Sequence, residues 1–274
     1  MRSRLKSRRR AIALVAVGLA LLAVVLIGVD RTAAGPAGGS DFFRGDDSRP
    51  APGGTLRVAT FNIHGGRGAD GQRDLELTAY TLEGFDLVGL NEVHGAVLGG
   101  RDQAEVLGRR LKLSWLFAPS ERRWWRDSFG NAALTSCPVR SWRREPLENS
   151  SGHGYRNLTL LELEFAGGTI SALVTHIDRT ADRRGQLDVA LRRFLELPAP
   201  ALLLGDLNSP ADDPAIRGVL ERPGVVDPLA LFGEEERPGR IDWVLVRGLD
   251  VLDAGVRDLG ASDHPCVWAE LALP

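Results

Sequence analysis

The sequence predicts a layered domain of mixed α and β structure. Eight short apolar segments of strand length recur between Thr55 and the C-terminus, and two segments with helical periodicity are interspersed among them. A pure β-sandwich leaves no place for those helices, whereas sheets with helices packed on them do. With 274 residues, 43% hydrophobic and 26% charged, the chain is ordinary for a protein with a substantial core. Its formal net charge of −2 excludes a global basic field, though not a locally basic groove.

The N-terminus stands apart. Residues 1–10 carry Arg2, Arg4, Lys6, Arg8, Arg9 and Arg10, and Ala11 to Val29 follow without a charge. A membrane span needs about 20 apolar residues and a signal-peptide core about 7–15. The run is therefore expected to be a transmembrane anchor or, if the small residues of "TAAGPA" are cut, a cleaved signal. "SRRRAIAL" faintly resembles a twin-arginine signal, but the run is rather hydrophobic for one. Basic flanks stay cytoplasmic, so the rest of the chain is expected outside the membrane. Residues 30–54, rich in Gly, Pro, Ala and Asp, read as a flexible linker, and 55–274 as the catalytic domain.

Within 55–274 the strand candidates are "TLRVATFNIHGG", "FDLVGLNEVHG", "NAALTSCPV", "NLTLLELEF", "TISALVTHID", "PALLLGDLNS", "RIDWVLVRG" and "CVWAELAL". The helix candidates are "RDQAEVLGRRLKL", with Ala104, Leu107 and Leu111 on one side, and "ADRRGQLDVALRRFLEL", where Leu187, Leu191, Phe194 and Leu195 form a stripe. The arginines opposite that stripe read as a solvated face. Cys137 and Cys266, the two cysteines, both lie in strand-like segments, and two buried thiols and a bonded pair are both open.

Strand after strand ends in polar residues: Asn62 and His64, Glu92, His176 and Asp178, Asp206 and Asn208. Asp242 stands near the start of another strand, and Asp263 and His264 precede the last. Alternate residues of an extended chain face one side, so each i, i+2 pair aims two polar groups at one place. Any single pair is explained as a turn cap; the joint occurrence is an inventory of oxygen ligands and imidazoles. Oxygen ligands suit Mg2+, Mn2+ or Ca2+, and histidine beside carboxylate suits general-base work on water.

The ordered set "TFNIHGG", "LNEV", "GNAALTS", "VTHID", "GDLNS", "RIDWVLV" and "SDHPCVWAEL" resembles the endonuclease/exonuclease/phosphatase superfamily. That group includes pancreatic-type deoxyribonuclease, AP endonucleases, bacterial sphingomyelinases and inositol polyphosphate 5-phosphatases. The resemblance implies a four-layer α/β/β/α sandwich of two mainly antiparallel sheets with flanking helices. It implies a Mg2+- (or Mn2+- or Ca2+-) dependent phosphodiesterase acting on nucleic acid or a phospholipid headgroup, with a phosphomonoesterase of the same fold or a non-catalytic binding module as the alternatives and no obligate protein partner evident. It assigns Glu92 as the main metal ligand, with Asn62 and Asp263 on the metal side. Asp206 and Asn208 orient the nucleophile and hold the phosphate, His264 is the general base, and Asp242 orients it. His176 is a donor to the phosphate or leaving group, and Asn131, Arg156 and His64 lie near the substrate. Asn91 where Gln is usual, His64 in place of an acidic residue, Ser128 in place of a tyrosine, and the histidine of "VTHID" depart from the abasic-site repair branch. "SERRWWRDSFGN" mixes Arg122, Arg123 and Arg126 with Trp124 and Trp125, a pattern suited to DNA or lipid contact but equally to a loop with packed tryptophans. His153 reads as a surface histidine in a mobile loop, and "GEEERPGR" as an acidic surface loop.

Overall fold

The computed structural model describes residues 2–29, 31–40, 51–96, 99–123, 128–152, 154–232 and 239–274. Trp124, Trp125, Arg126, His153 and the acidic run at 234–236 lie outside the described residues. The chain begins with α1 (Arg2–Val29), β1 (Arg31–Ala33) and β2 (Ala37–Gly39). The first half of the domain follows with β3 (Thr55–Asn62), a 3-10 turn at His64–Gly66, α2 (Leu75–Thr81), β4 (Leu87–His94), α3 (Gln103–Leu111), β5 (Ser114–Arg123) and β6 (Phe129–Thr135). The second half contains β7 (Val139–Pro146), β8 (Asn157–Phe165), β9 (Gly168–His176), α4 (Arg183–Glu196), β10 (Ala201–Asp206) and α5 (Pro214–Leu220). It ends with β11 (Val225–Val226), α6 (Pro228–Leu231), β12 (Asp242–Arg247), β13 (Asp250–Arg257) and β14 (Cys266–Ala272).

Two seven-stranded sheets result, ordered β1-β5-β6-β4-β3-β14-β13 and β11-β12-β10-β9-β8-β7-β2. Alternation along the central strands decides the layering. Val58 of β3, Leu87 of β4, Val174 of β9, Leu202 and Leu204 of β10 and Val244 of β12 meet between the sheets. Phe61, Val88 and Leu90 point the other way and pack with Ala79 and Leu82 beside α2, Leu107 of α3 and Trp115. Leu173, Leu203 and Leu245 pack against Leu187, Leu191 and Phe194 of α4 and Ile216 of α5. Three cores separated by two sheets make the expected four layers.

Neighbouring strands are antiparallel except β3 with β4 and β9 with β10. A parallel neighbour needs a crossover, and α2 and α4 lie in those two connections. The consequence is functional: the parallel pairs bring the C-terminal ends of β3 and β4, and of β9 and β10, to one rim of the sandwich. Two glycines let the central strands approach. A Cβ on Gly205 would stand 1.9 Å from the Thr175 carbonyl oxygen, and one on Gly89 would meet Leu204 Cβ at 2.9 Å. Gly205→Ala is expected to destabilise the protein by about 2 kcal/mol or more, because β10 cannot move off β9 without breaking their ladder. Urea unfolding measures it, and a midpoint equal to wild type would refute the close-approach argument.

Three expectations change. Residues 31–39, expected within a flexible linker, form edge strands: β1 pairs with β5 (Arg31 opposite Arg123) and β2 with β7 (Gly39 opposite Trp142). Between them the Arg144 guanidinium donates to Gly35 O at 2.7 and 2.9 Å. These short segments lie on the otherwise unpaired edges of β5 and β7 and satisfy backbone groups there. The segment 11–29 is helical within α1, but no helix among the described residues is long and apolar enough to cross a membrane. The first third of α1 is the basic cluster from Arg2 to Arg10. Finally, Cys137 sits in the turn after β6 rather than in a strand and packs in the inter-sheet core. Cys266 packs on the opposite face of its sheet, so both remain free thiols. Burial pushes the Cys137 thiol up to about 11 and the Cys266 thiol up to about 12, which keeps both protonated.

Candidate active site

Each polar residue at the rim is delivered by a strand end. Asn62 closes β3, His176 closes β9, Asp206 closes β10, and Asp242 opens the antiparallel β12. Glu92 lies inside β4, where regular alternation would fix its direction. There the ladder with β6 breaks between Leu90 and Val93, and Glu92 takes a positive φ of 58°. Such an irregularity re-aims a side chain, here toward Asn62.

The Asn62 amide links the two sheets. Its Nδ2 donates to Glu92 Oε1 at 3.3 Å and to Asp206 Oδ2 at 3.1 Å, while its Oδ1 accepts from the His64 N–H at 3.1 Å. Burial, with the charge of Asp242 beside it, pushes the Asp206 carboxyl up to about 7.

His264 faces the same carboxylate. Its Nδ1 lies 2.7 Å from Asp242 Oδ2, and its Nε2 3.9 Å from Asp206 Oδ2. Burial lowers the affinity of His264 for a proton, but the hydrogen bond and charge of Asp242, with Asp206 and Asp263 behind it, raise the imidazole to about 9. Burial also raises the Asp242 carboxyl, against the opposing pull of its bond to His264. Ser262 pins the loop that carries His264: its Oγ donates to Asn62 O at 2.7 Å and accepts from the His264 N–H at 3.3 Å.

His176 is only 4% exposed, with Nε2 3.4 Å from Asp206 Oδ2 and 3.3 Å from Asn208 Nδ2. Burial first, then the charges of Arg156, His264 and Arg179, hold its imidazole well below the ordinary value, so it is neutral. Asn208, at φ 47°, donates its amide to Ile177 O at 2.8 Å and its backbone N–H to Asp206 Oδ1 at 2.9 Å. Arg156 is half-buried, and the carboxylates acting on it include Asp178, Glu92 and Asp206; burial lowers its pKa. His64 and Asp263 meet at the exposed mouth, Nδ1 to Oδ1 at 3.4 Å.

Asn131 does not open into the cleft. It is buried beneath it, with Oδ1 accepting from Asn91 at 3.0 Å and Nδ2 donating to Asn157 Oδ1 at 3.2 Å. It belongs to a buried amide network that the strand-end pattern did not reveal. Asn91 Oδ1 accepts from the Asp206 N–H at 2.9 Å and its Nδ2 donates to Thr175 O at 3.0 Å, joining one sheet to the other. Asn157 continues it to Ala118 O and Ser120 Oγ. Arg183, expected on a solvated face, instead reaches the turn after Asp206. Ser262 was the most legible of these omissions, two residues before His264 in a strand-entry loop.

The donor set fits a hard divalent cation. Ligand atoms of Asp206, Asp242 and His264 all lie within 4.8 Å of one another. Asp242 Oδ1 is buried without a hydrogen-bond partner, and the Asp206 carboxyl is driven up by burial and its anionic neighbour. Both signs are those of negative charge lacking compensation. Glu92, which the resemblance assigns as the main metal ligand, adjoins this group through Asn62, whose amide bonds both Glu92 and Asp206. Asp263, expected on the metal side, has a 57% exposed side chain, with Oδ1 facing His64 and Ser262.

Comparison with known proteins agrees with this fold. No match was found among curated proteins. A structure of an endonuclease/exonuclease/phosphatase from Beutenbergia cavernae aligns with a TM-score of 0.63 at 26% identity, covering 80% of this chain and 72% of that one. The human Nocturnin catalytic domain, solved with a bound sulfate anion, aligns with a TM-score of 0.62 at 18% identity, covering 81% and 94%. A family protein from Leptotrichia buccalis aligns with a TM-score of 0.63 at 15% identity, covering 80% and 100%. The sequence model of the Endonuclease/Exonuclease/phosphatase family matches residues 59–264, and the chain belongs to that family.

Proposed function

We propose that the protein is a divalent-cation-dependent phosphodiesterase. The observation that carries this reading is the His264–Asp242 pair directed at Asp206 on the rim where Asn62 and Glu92 also converge. Asp242 holds the Nδ1–H of His264, which leaves Nε2 as the atom that takes a proton from an attacking water. Asn208, tied to Asp206 and His176, keeps the opposite wall of the cleft in place. Arg156 faces the carboxylates as the cation closest in chemistry to a phosphate clamp. A cation held by Glu92 and Asp206 supplies stabilisation of charge on the phosphate oxygens when bound.

The substrate class this reading favours is a phosphodiester in nucleic acid or in a phospholipid headgroup, met outside the cytoplasmic membrane. The location rests on the charge pattern alone, six basic residues followed by an uncharged run. Activity of an alkaline phosphatase fused after residue 274 tests it, and an inactive, well-expressed fusion refutes it.

The test of activity uses the full chain, because a fragment starting at Thr55 lacks β1 and β2. Purified protein is assayed with Mg2+, Mn2+ or Ca2+ against DNA, sphingomyelin, bis(4-nitrophenyl) phosphate and 4-nitrophenyl phosphate. Cation-dependent release of 4-nitrophenol that chelator abolishes is expected. Hydrolysis of 4-nitrophenyl phosphate alone would replace the reading with a phosphomonoesterase, and no turnover of any phosphate ester would remove it.

A further inference from the structure

We infer that Arg183 is a positioning residue for this chemistry, holding the turn that carries Asn208. The inference rests on the phosphodiesterase reading above. Arg183 opens α4, and its guanidinium crosses to the loop that follows β10. Its NH1 donates to Asn208 O at 3.3 Å, Ser209 Oγ at 2.8 Å and Asp213 Oδ2 at 3.0 Å. The turn needs such a hold. Asn208 sits at φ 47°, in the left-handed region that asparagine enters more readily than other residues with a side chain but at more cost than glycine. From there its N–H reaches Asp206 Oδ1 and its amide reaches Ile177 O and His176 Nε2. A relaxed turn releases all three together. On its other side Trp243 Nε1 donates to Ser209 O at 2.9 Å, and Leu207 N–H to Ile241 O at 2.8 Å. The turn is thus gripped by a neutral donor of β12, Trp243, and a neutral acceptor just before it, the Ile241 carbonyl, and from α4 by one charged donor, Arg183.

The contact with Asp213 supplies the alternative, a plain ion pair that stabilises the start of α5 and nothing more. Two variants separate them. Asp213→Asn keeps the cap, since an asparagine oxygen also accepts from Ala215 N–H, but removes the ion pair. Arg183→Met removes every NH1 bond while keeping the aliphatic stem. All three bonds converge on one nitrogen, so the compact ammonium of Arg183→Lys is able to replace it.

Steady-state hydrolysis of bis(4-nitrophenyl) phosphate and imidazole NMR are measured on full-length protein. Arg183→Met is expected to lose about 10- to 100-fold in kcat, with KM within about threefold. Arg183→Lys should return to within about threefold of wild type, and Asp213→Asn should match wild type. The His176 resonance, one of five histidines in the chain, should shift in Arg183→Met and stay in place in Asp213→Asn. An Arg183→Met enzyme with wild-type kcat, or an Asp213→Asn enzyme equally impaired, overturns the inference. Should wild type hydrolyse no phosphate ester, the phosphodiesterase reading fails by itself. The NMR comparison then still decides whether Arg183 holds the turn, and an unmoved His176 resonance in Arg183→Met overturns that too.

Discussion

His264→Ala is expected to lower kcat by about 10²- to 10⁴-fold, the usual contribution of a general base, and to lower the unfolding midpoint as well, because the buried Asp242 carboxylate loses its partner. His264 is half-buried and its polar ties are to Asp242 and the Ser262 loop, so its removal leaves the three cores intact. Asp242→Asn is the informative companion. The Asp242 hydrogen bond and charge are what raise the imidazole against its burial, to about 9. The neutral form that accepts a proton therefore grows as pH rises through that range. The ascending limb of kcat/KM against pH is expected to be centred near pH 9 in wild type, levelling off above it, and to move to lower pH in Asp242→Asn, at a reduced plateau. The sign for stability runs the other way. A raised imidazole stabilises the fold fully below the unfolded value near 6.5 and loses that contribution as pH climbs toward 9. A pH–rate profile unmoved by Asp242→Asn would show that His264 is not the titrating base.

Asn91→Ala should cause the largest combined loss of stability and activity. Its side chain makes three buried bonds: to Asn131 Oδ1, to Thr175 O and from the Asp206 N–H. Alanine leaves those partners unsatisfied in a dry interior, at about 1–3 kcal/mol each. A total of about 3 kcal/mol or more corresponds to a fall in Tm on the order of 10 °C. Turnover should fall as well, because Asp206 loses the bond that sets its backbone. Differential scanning calorimetry beside kcat reads both effects. A variant with wild-type Tm and rate would show that the amide network is dispensable.

The contrast between Asn91 and His264 shows what was legible in the sequence. His264, Asp242, Asp206, Asn208, Asn62 and Glu92 were readable because each stands at or near a strand end, where alternation and turns announce polar groups. The fold was readable for a related reason: "ALLLGD" and "TISALVTH" are apolar runs of strand length, and helical periodicity elsewhere supplies the layers that cover such strands. Asn91 was invisible in its role because a lone amide inside an apolar strand looks like a mild substitution. Its meaning depends on Asp206, 115 residues away in the other sheet. Arg183 was misread because helical periodicity says which face is apolar, not what lies beyond the polar face. Asn131 was placed at the substrate by resemblance, but Asn91 and Asn157 already engage both ends of its amide. The edge strands within 31–39 escaped because runs of three residues, Arg31–Ala33 and Ala37–Gly39, are too short to show a strand pattern; they pair where they do because β5 and β7 offer bare backbone.

Those two short edge strands have one more consequence. A β-sheet border is adhesive, since any passing extended chain can dock on it. Here the protein's own N-terminal segment occupies the borders at β5 and β7 and denies them to neighbours. A protease cutting near residue 40 would leave the catalytic rim intact while uncovering both, and the trimmed product should drift into high-mass species on storage.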